Sequence, residues 1–199
     1  MREFILRARK AKTNPGLNLN ELPKEGKMDA VCAYVSNALW ISGDVRRDTI
    51  IHAVLEGPGN GPKTITFAGS EIRGLRSDEI SVAGYIAFAL QKGAFLKLNE
   101  EMSVRAGIRV AKKSFERLLW EKSQKHKQII FLDSHGKDIR NFKFEKDFLM
   151  IFGSAEGLSP KTLKILSEIK AERVSVGPKM LFAAHCPIIV HNELDRSIS

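Results

Sequence analysis

Short apolar runs of strand length alternate along this chain with segments whose apolar residues recur at helical spacing. The apolar runs predict strands over residues 2–8, 49–55, 63–67, 128–132, 148–152 and 172–176. Strands that alternate with helices indicate an α/β fold whose largely parallel sheet is flanked by helices. Within residues 2–8, Phe4 and Leu6 alternate with charged or small neighbours, which predicts a strand that is buried on one face only.

Capping residues and periodicity predict the helices between these strands. The first helix, over residues 28–41, would bury a stripe formed by Val31, Val35, Ala38 and Leu39. Ser77 is the expected N-cap of a second helix, and Ser159 followed by Pro160 marks the start of a later one. Residues 114–125 also predict a helix, and the last helical segment holds His185, Cys186, His191 and Leu194.

The remaining segments connect these elements. Residues 12–27 predict a long irregular connection, residues 57–62 predict a turn between two neighbouring strands, and residues 92–107 give no clear prediction. All 199 residues are expected to form a single domain, because domains commonly contain about 100 to 200 residues.

Charge restricts the classes of partner. The chain has 32 lysines and arginines against 23 aspartates and glutamates, which gives a net charge of +9 and an isoelectric point near 9.6. This excess favours a polyanion such as nucleic acid. The alternative is that the charge only keeps the protein dispersed, as it does in many modestly basic proteins.

The cysteines and the apolar runs indicate a compartment. Cys32 and Cys186 are too few and too far apart for a disulfide framework or a clustered zinc site, which favours a reducing environment. No apolar run approaches the roughly 18 residues that span a bilayer, and no signal-peptide core follows Met1. We therefore expect a cytoplasmic protein with no membrane partner.

Two segments resemble ligand-binding motifs, one for phosphate and one for a metal ion, but each is better explained as ordinary structure. Residues 57–64 miss the phosphate-binding P-loop, because Pro62 replaces its second glycine and a strand rather than a helix follows. His185, Cys186 and His191 would point to different faces of a helix, so a shared metal ion would need a helix break such as Pro187 could supply. We expect a plain hairpin loop, a buried thiol and hydrogen-bonded histidines, with no metal site.

Two predicted loops could form a pocket together. Residues 153–158 leave one apolar strand at Gly153, and residues 176–181 leave the next strand. Open α/β sheets bind ligands at the carboxyl ends of their strands. Two loops at one edge of the sheet make a pocket more plausible than either loop does separately.

A polar corner precedes the second strand. Asp44, Arg46, Arg47 and Asp48 place two cations and two anions within five residues. One interpretation is a solvated turn with local ion pairs, which contribute little at a surface. The other is that the arginines hold phosphate or stack on a base while a carboxylate accepts a base N–H.

Longer motifs indicate a family. The chain opens with Met1-Arg2-Glu3-Phe4-Ile5, and its first half also carries Arg46-Arg47-Asp48 and Gly69-Ser70-Glu71-Ile72. The second half carries Ser175-Val176-Gly177-Pro178-Lys179-Met180-Leu181, Cys186 and His191-Asn192-Glu193-Leu194-Asp195. These motifs resemble, nearly end to end, the archaeal tRNA pseudouridine N1-methyltransferases (TrmY).

The resemblance implies a fold, a cofactor and an oligomeric state. Members of that family belong to the SPOUT superfamily, whose α/β domain has a C-terminal trefoil knot and works as a homodimer with S-adenosylmethionine. Backbone groups of the knot loops hold the cofactor, which here implies Leu132, Gly153, Val176, Gly177, Pro178, Lys179, Met180, Leu181 and Cys186. Cys186 would be a wall of the pocket and not a nucleophile.

The resemblance also implies the reaction, in which N1 of pseudouridine at position 54 of the tRNA T-loop takes the methyl group. Arg46 and Arg47 would grip the flipped nucleotide or its phosphates, and Asp48 or Asp44 would accept the proton that N1 loses. A pseudouridine methyltransferase acting on ribosomal RNA, or an RNA-binding assembly factor without turnover, remains the alternative. An assembly factor predicts salt-dependent RNA binding without methyl transfer.

Overall fold

The computed structural model describes residues 1–153 and 157–197. Its strands are β1 (Arg2–Ala8), β2 (Trp40–Ile41), β3 (Asp44–Val45), β4 (Thr49–Leu55), β5 (Lys63–Ala68), β6 (Glu101–Arg105), β7 (Ile108–Ala111), β8 (Gln128–Asp138), β9 (Phe148–Gly153) and β10 (Glu172–Ser175). Its α-helices are α1 (Met28–Leu39), α2 (Glu79–Lys92), α3 (Phe115–Ser123), α4 (Pro160–Glu168) and α5 (Cys186–Arg196). Short 3₁₀ helices cover Leu22–Glu25 and Ile139–Asn141.

Eight of these strands form a mixed sheet that is mostly parallel. Its order is β10-β8-β9-β1-β4-β5-β7-β6. The four pairings from β10 to β4 are parallel, and the three from β4 to β6 are antiparallel. The predicted α/β class is therefore confirmed, with an antiparallel extension at one side. The predicted loop over residues 57–62 is confirmed as the connection of the β4–β5 hairpin, where no helix follows that could bind phosphate.

Helices cover both faces of the sheet. On one face, Phe4 and Leu6 of β1 join a core that includes buried residues of α1, α2 and α5. On the other face, Ile5 joins Phe115 and Leu119 of α3 and Leu166 of α4. Because β1 lies between β4 and β9 and is covered on both sides, its apolar residues alternate between two cores.

The prediction that β1 is buried on one face only is wrong. The charged side chains of Glu3 and Arg7 enter the second face because each of them finds partners there. Arg7 donates to Glu56 at 2.7 Å, to Glu116 at 2.9 Å and to Thr162 at 2.6 Å. Glu3 accepts from His52 at 2.6 Å. Burial alone would raise the pKa of Glu3, but hydrogen bonds from His126 and His52 hold it well below its ordinary value.

Several predicted boundaries shift. The first helix ends at Leu39, because Trp40–Ile41 pairs with Asp44–Val45 as a hairpin. The second helix is capped by Asp78 and not Ser77, since the Asp78 carboxylate accepts from the backbone N–H of Ser81. Ser159 caps α4 as predicted, accepting from the N–H of Thr162.

The later elements also differ in extent. Residues 92–107, which gave no clear prediction, contain β6, and α3 ends two residues before its predicted end. β8 continues to Asp138, six residues beyond its predicted end, while β10 stops at Ser175. In the predicted loop over residues 153–158, residues 154–156 lie outside the described residues.

Candidate functional site

A cleft lies at the edge of the sheet where the parallel strands β8 and β10 run toward their carboxyl ends. Its volume is about 270 Å³. Seven of the predicted cofactor residues line it, namely Leu132, Val176, Gly177, Lys179, Met180, Leu181 and Cys186. The predicted meeting of two strand-end loops is thus observed for the loop after β10, and the contribution of the loop after β9 comes from Gly157 and Leu158.

Two predicted cofactor residues lie beside the cleft and not on its surface. Gly153 ends β9 so close to Gly157 that a Cβ on Gly153 would lie 2.9 Å from the carbonyl carbon of Gly157, and Gly157 lines the cleft. Pro178 lies between the lining residues Gly177 and Lys179. Both therefore shape the backbone that forms the cleft.

Sequence reasoning missed part of the lining. The lining residues outside both predicted loops and the predicted cofactor set are Asp133, Ser134, Leu163, Val174 and Ser175. Asp133 and Ser134 directly follow the predicted apolar strand over residues 128–132, so the position of polar residues after such a strand could have identified them. The N–H of His135 donates to Asp133 at 2.8 Å, and this hydrogen bond is the main cause that lowers the pKa of Asp133.

Close backbone contact forms the floor of the cleft. A Cβ on Gly136 in β8 would lie 2.5 Å from the backbone nitrogen of Val174 in β10, so only glycine fits at this crossing. Ser175 then turns the chain, because its hydroxyl donates to the carbonyl of Gly177 at 3.0 Å. Gly177 has a φ of 148°, a conformation that other residues rarely adopt.

Cys186 begins α5 and forms one wall of the cleft. Its side chain is buried, its Sγ lies 3.5 Å from the carbonyl oxygen of Phe182, and burial raises the pKa of its thiol above the ordinary value. A protonated thiol is a poor nucleophile. Pro187 lies in the first turn of α5, where its missing N–H needs no partner, so the helix is not interrupted.

The polar corner is a structured hairpin. Arg47 donates to Asp44 at 2.8 Å and to the carbonyl of Ile72 at 2.6 Å. A hydrogen bond from the N–H of Val45 and another from Arg47 lower the pKa of Asp44. Arg46 binds Asp195 at 2.8 Å, and Asp48 lies 3.1 Å from the guanidinium of Arg2. All four corner residues therefore make ion pairs within this chain.

The corner and the cleft lie at opposite edges of the sheet. Arg2 begins β1 and donates its N–H to the carbonyl of Asp48, whereas the cleft lies where the parallel strands end. Helix α5 runs between the two, with Cys186 at the cleft and Asp195 at the corner. The nine residue steps from Cys186 to Asp195 rise about 13.5 Å along a helix. One chain thus does not bring the predicted proton acceptors to the cleft.

His191 is a buried structural residue. Its Nδ1 lies 2.8 Å from a guanidinium nitrogen of Arg2 and its Nε2 lies 2.8 Å from the carbonyl of Ala38. Because the guanidinium and the carbonyl have fixed roles, Nδ1 accepts and Nε2 donates. In the part of the chain that the structure describes, no group of three His, Cys, Asp or Glu residues could hold a metal ion. Within the same ranges, no helix has the length and hydrophobicity needed to cross a bilayer.

The cleft fits S-adenosylmethionine in its chemistry. Its apolar walls, which include Leu132, Val176 and Leu181, suit an uncharged ring system. Asp133 and Ser134 add a carboxylate and a hydroxyl at one side, which suit an ammonium group and ribose hydroxyls. A helix N-terminus facing a pyrophosphate is not required, because this cofactor has no pyrophosphate.

The whole chain matches a family model. Residues 1–198 match the family described as "Putative SAM-dependent RNA methyltransferase". The chain belongs to this family. Its relatives include the tRNA (pseudouridine(54)-N(1))-methyltransferase of Methanococcus maripaludis strain C7, which is 41% identical over 98% of this chain and 99% of the relative. The protein of that name from Methanocaldococcus jannaschii is 39% identical over 98% of this chain and 97% of the relative.

A solved structure shares the fold of this family member. The crystal structure of Nep1 from Archaeoglobus fulgidus, bound to S-adenosylhomocysteine, superimposes with a TM-score of 0.59. The match covers 98% of this chain and 96% of that protein, at 11% sequence identity. At this identity the similarity establishes the fold alone.

Proposed function

We propose that this protein transfers a methyl group from S-adenosylmethionine to N1 of pseudouridine at position 54 of tRNA. The observation that carries this proposal is the cleft at the carboxyl ends of β8 and β10, in a chain matched over its full length by enzymes of that name. The net charge of +9 favours an RNA substrate, and we place the enzyme in the cytoplasm with its tRNA.

The cofactor is held by the residues that line or shape the cleft. They are Leu132, Gly153, Val176, Gly177, Pro178, Lys179, Met180, Leu181 and Cys186, to which the structure adds Asp133 and Ser134. The bound cofactor supplies an electrophilic methyl group on a sulfonium. The chain contributes alignment of the base with that group, which can lower a barrier by about 7 to 11 kcal/mol at best. No residue of the cleft needs to form a covalent bond to RNA.

The enzyme works as a homodimer whose corner acts on the partner's cleft. Trp40, Ile41 and Ile188 form an apolar surface, here called the α5 patch, in which Ile41 is 46% and Ile188 is 50% exposed. The patch adjoins Arg46 on one side, and Ile188 lies two residues after Cys186 on the other. In a two-fold contact each patch meets its own copy. Because the patch lies between the corner and the cleft, such a contact places the corner of one chain near the cleft of the other.

Roles for the corner follow from that arrangement. Arg46 and Arg47 hold RNA phosphates or the flipped nucleotide, and Asp48 or Asp44 accepts the proton that N1 loses. The corner cannot have these roles within its own chain, because it lies at the opposite edge of the sheet.

The chain folds as one domain, residues 1–199, with a C-terminal knot of the SPOUT type. The continuous sheet, with strands from β1 to β10, supports one domain. The tight crossing of Gly136 over β10, and the contact of α5 with the 3₁₀ helix Ile139–Asn141, support a knot through the β8–β9 connection. When single molecules are pulled from both ends, a knotted chain should remain shorter than about 3.3 to 3.6 Å per residue.

Methyl transfer tests the proposed function directly. The protein is given labelled S-adenosylmethionine and one of two matched tRNA T-arm RNAs, with either uridine or pseudouridine at position 54. Label on the pseudouridine RNA alone is expected, since uridine has no free N1. Cofactor binding without label on either RNA would overturn the tRNA assignment and favour ribosomal RNA or an assembly role.

A further inference from the structure

A second cavity lies beside the cofactor cleft. Its volume is about 520 Å³, within the range of about 300 to 1,000 Å³ that is usual for ligand pockets. Its walls are the end of β1 with the residues that follow, the first turns of α1, and the segment over residues 182–185. Because β1 is parallel to β8 and β9, this cavity opens at the same edge of the sheet as the cleft.

The two cavities share one piece of chain as a wall. Leu181 lines the cleft and Phe182 lines the second cavity, and consecutive Cα atoms are about 3.8 Å apart. The segment is held in place, because Asn37 of α1 donates to the carbonyl of Ala184 at 2.8 Å and the N–H of His185 donates to Phe182 at 2.9 Å. A group in the second cavity is therefore a near neighbour of a cofactor in the cleft.

The second cavity has the chemistry of a base-binding pocket. Its floor is apolar, with Leu6, Ala8 and Val31 among the lining residues. Phe182 is 75% exposed, and its ring meets that of His185 edge-on, with centroids 5.6 Å apart. Exposed aromatic rings of this kind stack on unpaired bases.

The rim of the cavity is basic. Arg9, Lys10 and Lys27 line it and are exposed, and Glu79 is an acidic residue on the same rim. Positive charge around an apolar pocket suits a nucleotide whose base enters while its phosphates stay outside.

A carboxylate lines this cavity. Asp29, in the first turn of α1, is one of the lining residues. Its Oδ1 is enclosed by protein and accepts no hydrogen bond from any residue that the structure describes, so its other carboxylate oxygen is the one that can meet a molecule in the cavity. A carboxylate that loses contact with water needs hydrogen-bond donors, because a charge buried without a partner is costly. A carboxylate can only accept, and an N–H of a ligand that displaces water from the cavity can supply that donor.

We propose that this cavity receives the flipped target base and that Asp29 accepts its N3–H. The proposal rests on the proposed function, because pseudouridine has two ring N–H groups, N1–H and N3–H. The N1 side must face the methyl group in the cleft, which leaves N3–H for the cavity. Uridine also has an N3–H, so Asp29 orients the base, and selection of pseudouridine depends on the free N1.

The test measures RNA binding, so that it stays decisive even if no methyl is transferred. Asp29→Ala should weaken binding of a pseudouridine-54 T-arm about tenfold or more, because a hydrogen bond to a charged group is lost. Asp29→Asn keeps an acceptor oxygen and should recover part of that loss. Cofactor binding should be unchanged in both variants, which shows that they fold. Glu21→Gln, an exposed carboxylate change near α1, is the matched control and should bind RNA like the unmodified protein.

A change in the RNA isolates the contact. A T-arm with 3-methylpseudouridine lacks N3–H, and the unmodified protein should bind it about tenfold more weakly than the pseudouridine T-arm. Asp29→Ala should lose no more than about twofold on the same change, since its contact is already absent. Equal losses in both proteins, or normal binding of the pseudouridine T-arm by Asp29→Ala, would overturn the proposal. A failure of methyl transfer with these binding results intact would instead count against the proposed function.

Discussion

Arg2, at the start of the first strand, donates to Asp195 near the end of the last helix at 2.7 Å, across 193 positions of sequence. The same guanidinium reaches Asp48 at 3.1 Å and His191 at 2.8 Å. Arg2 is 7% exposed in its side chain, so these contacts are largely shielded from water. One buried cation therefore ties together β1, the corner and α5, the helix that carries Cys186 to the cleft.

Replacing Asp195 should loosen this connection. Asp195→Ala removes the carboxylate that both Arg2 and Arg46 bind, and we expect a loss of about 1 to 2 kcal/mol in the free energy of unfolding. The change is measured by urea unfolding at neutral pH. Asn192→Ala, an exposed position on the same helix, should alter stability by no more than about 0.5 kcal/mol. Equal effects of the two substitutions would show that the ion pairs do not hold α5.

His191 should make stability depend on acidity. Burial, followed by the charges of Arg46 and Arg2, lowers the pKa of His191 from 6.5 to about 3. Between these values the unfolded chain binds a proton that the folded protein does not, so stability falls as pH falls from about 6.5 toward 3. One such proton contributes a slope of up to about 1.4 kcal/mol per pH unit.

Urea unfolding between pH 7 and pH 4.5 measures this slope. His191→Gln should reduce the slope of unfolding free energy against pH by up to the contribution of one proton, about 1.4 kcal/mol per pH unit. This reduction is expected whatever the substitution does to stability at pH 7. The pKa of His52 is also lowered, chiefly by burial, so part of the slope should remain in the variant. An unchanged slope would mean that His191 is protonated in the folded protein, contrary to its contacts.

Much of the fold could be predicted because local patterns agreed with it. β4, β9 and the Ser159 cap follow from apolar runs and from capping chemistry that act within a few residues. The second face of β1 could not be predicted, because Glu3 and Arg7 are charged. They are buried only because their partners arrive from distant segments.

Only part of the candidate site could be predicted, again because the sequence shows local patterns and not contacts between distant segments. The loop over residues 176–181 was predicted from its place after a strand, and the family motifs added its cofactor role and Cys186; most of these residues line the cleft. A binding role for Asp29 could not be predicted, because an aspartate in the first turn is typical of helices in general. Only the tertiary structure shows that Asp29 lines a cavity beside the cleft.

Cys186 should be replaceable without loss of the chemical step. Since burial raises the pKa of its thiol, Cys186→Ala should keep kcat within about threefold and change mainly the KM for the cofactor. Steady-state methyl transfer measures both constants. A loss of kcat above about a hundredfold with normal cofactor binding would identify the thiol as a reacting group, which its position in the wall does not suggest.

Mixed dimers should test whether the corner acts on the partner's cleft. Asp48→Asn should disable the corner, and Gly177→Val should disable the cleft, because valine rarely adopts the φ of 148° at that position. Each variant alone should have little activity. After subunit exchange at equal amounts, about half of the dimers contain one of each chain, and each of these has one intact site. The mixture should therefore regain about a quarter of the unmodified activity. No recovery after verified exchange would place the corner's role within its own chain, and full activity of Asp48→Asn alone would remove its role as proton acceptor.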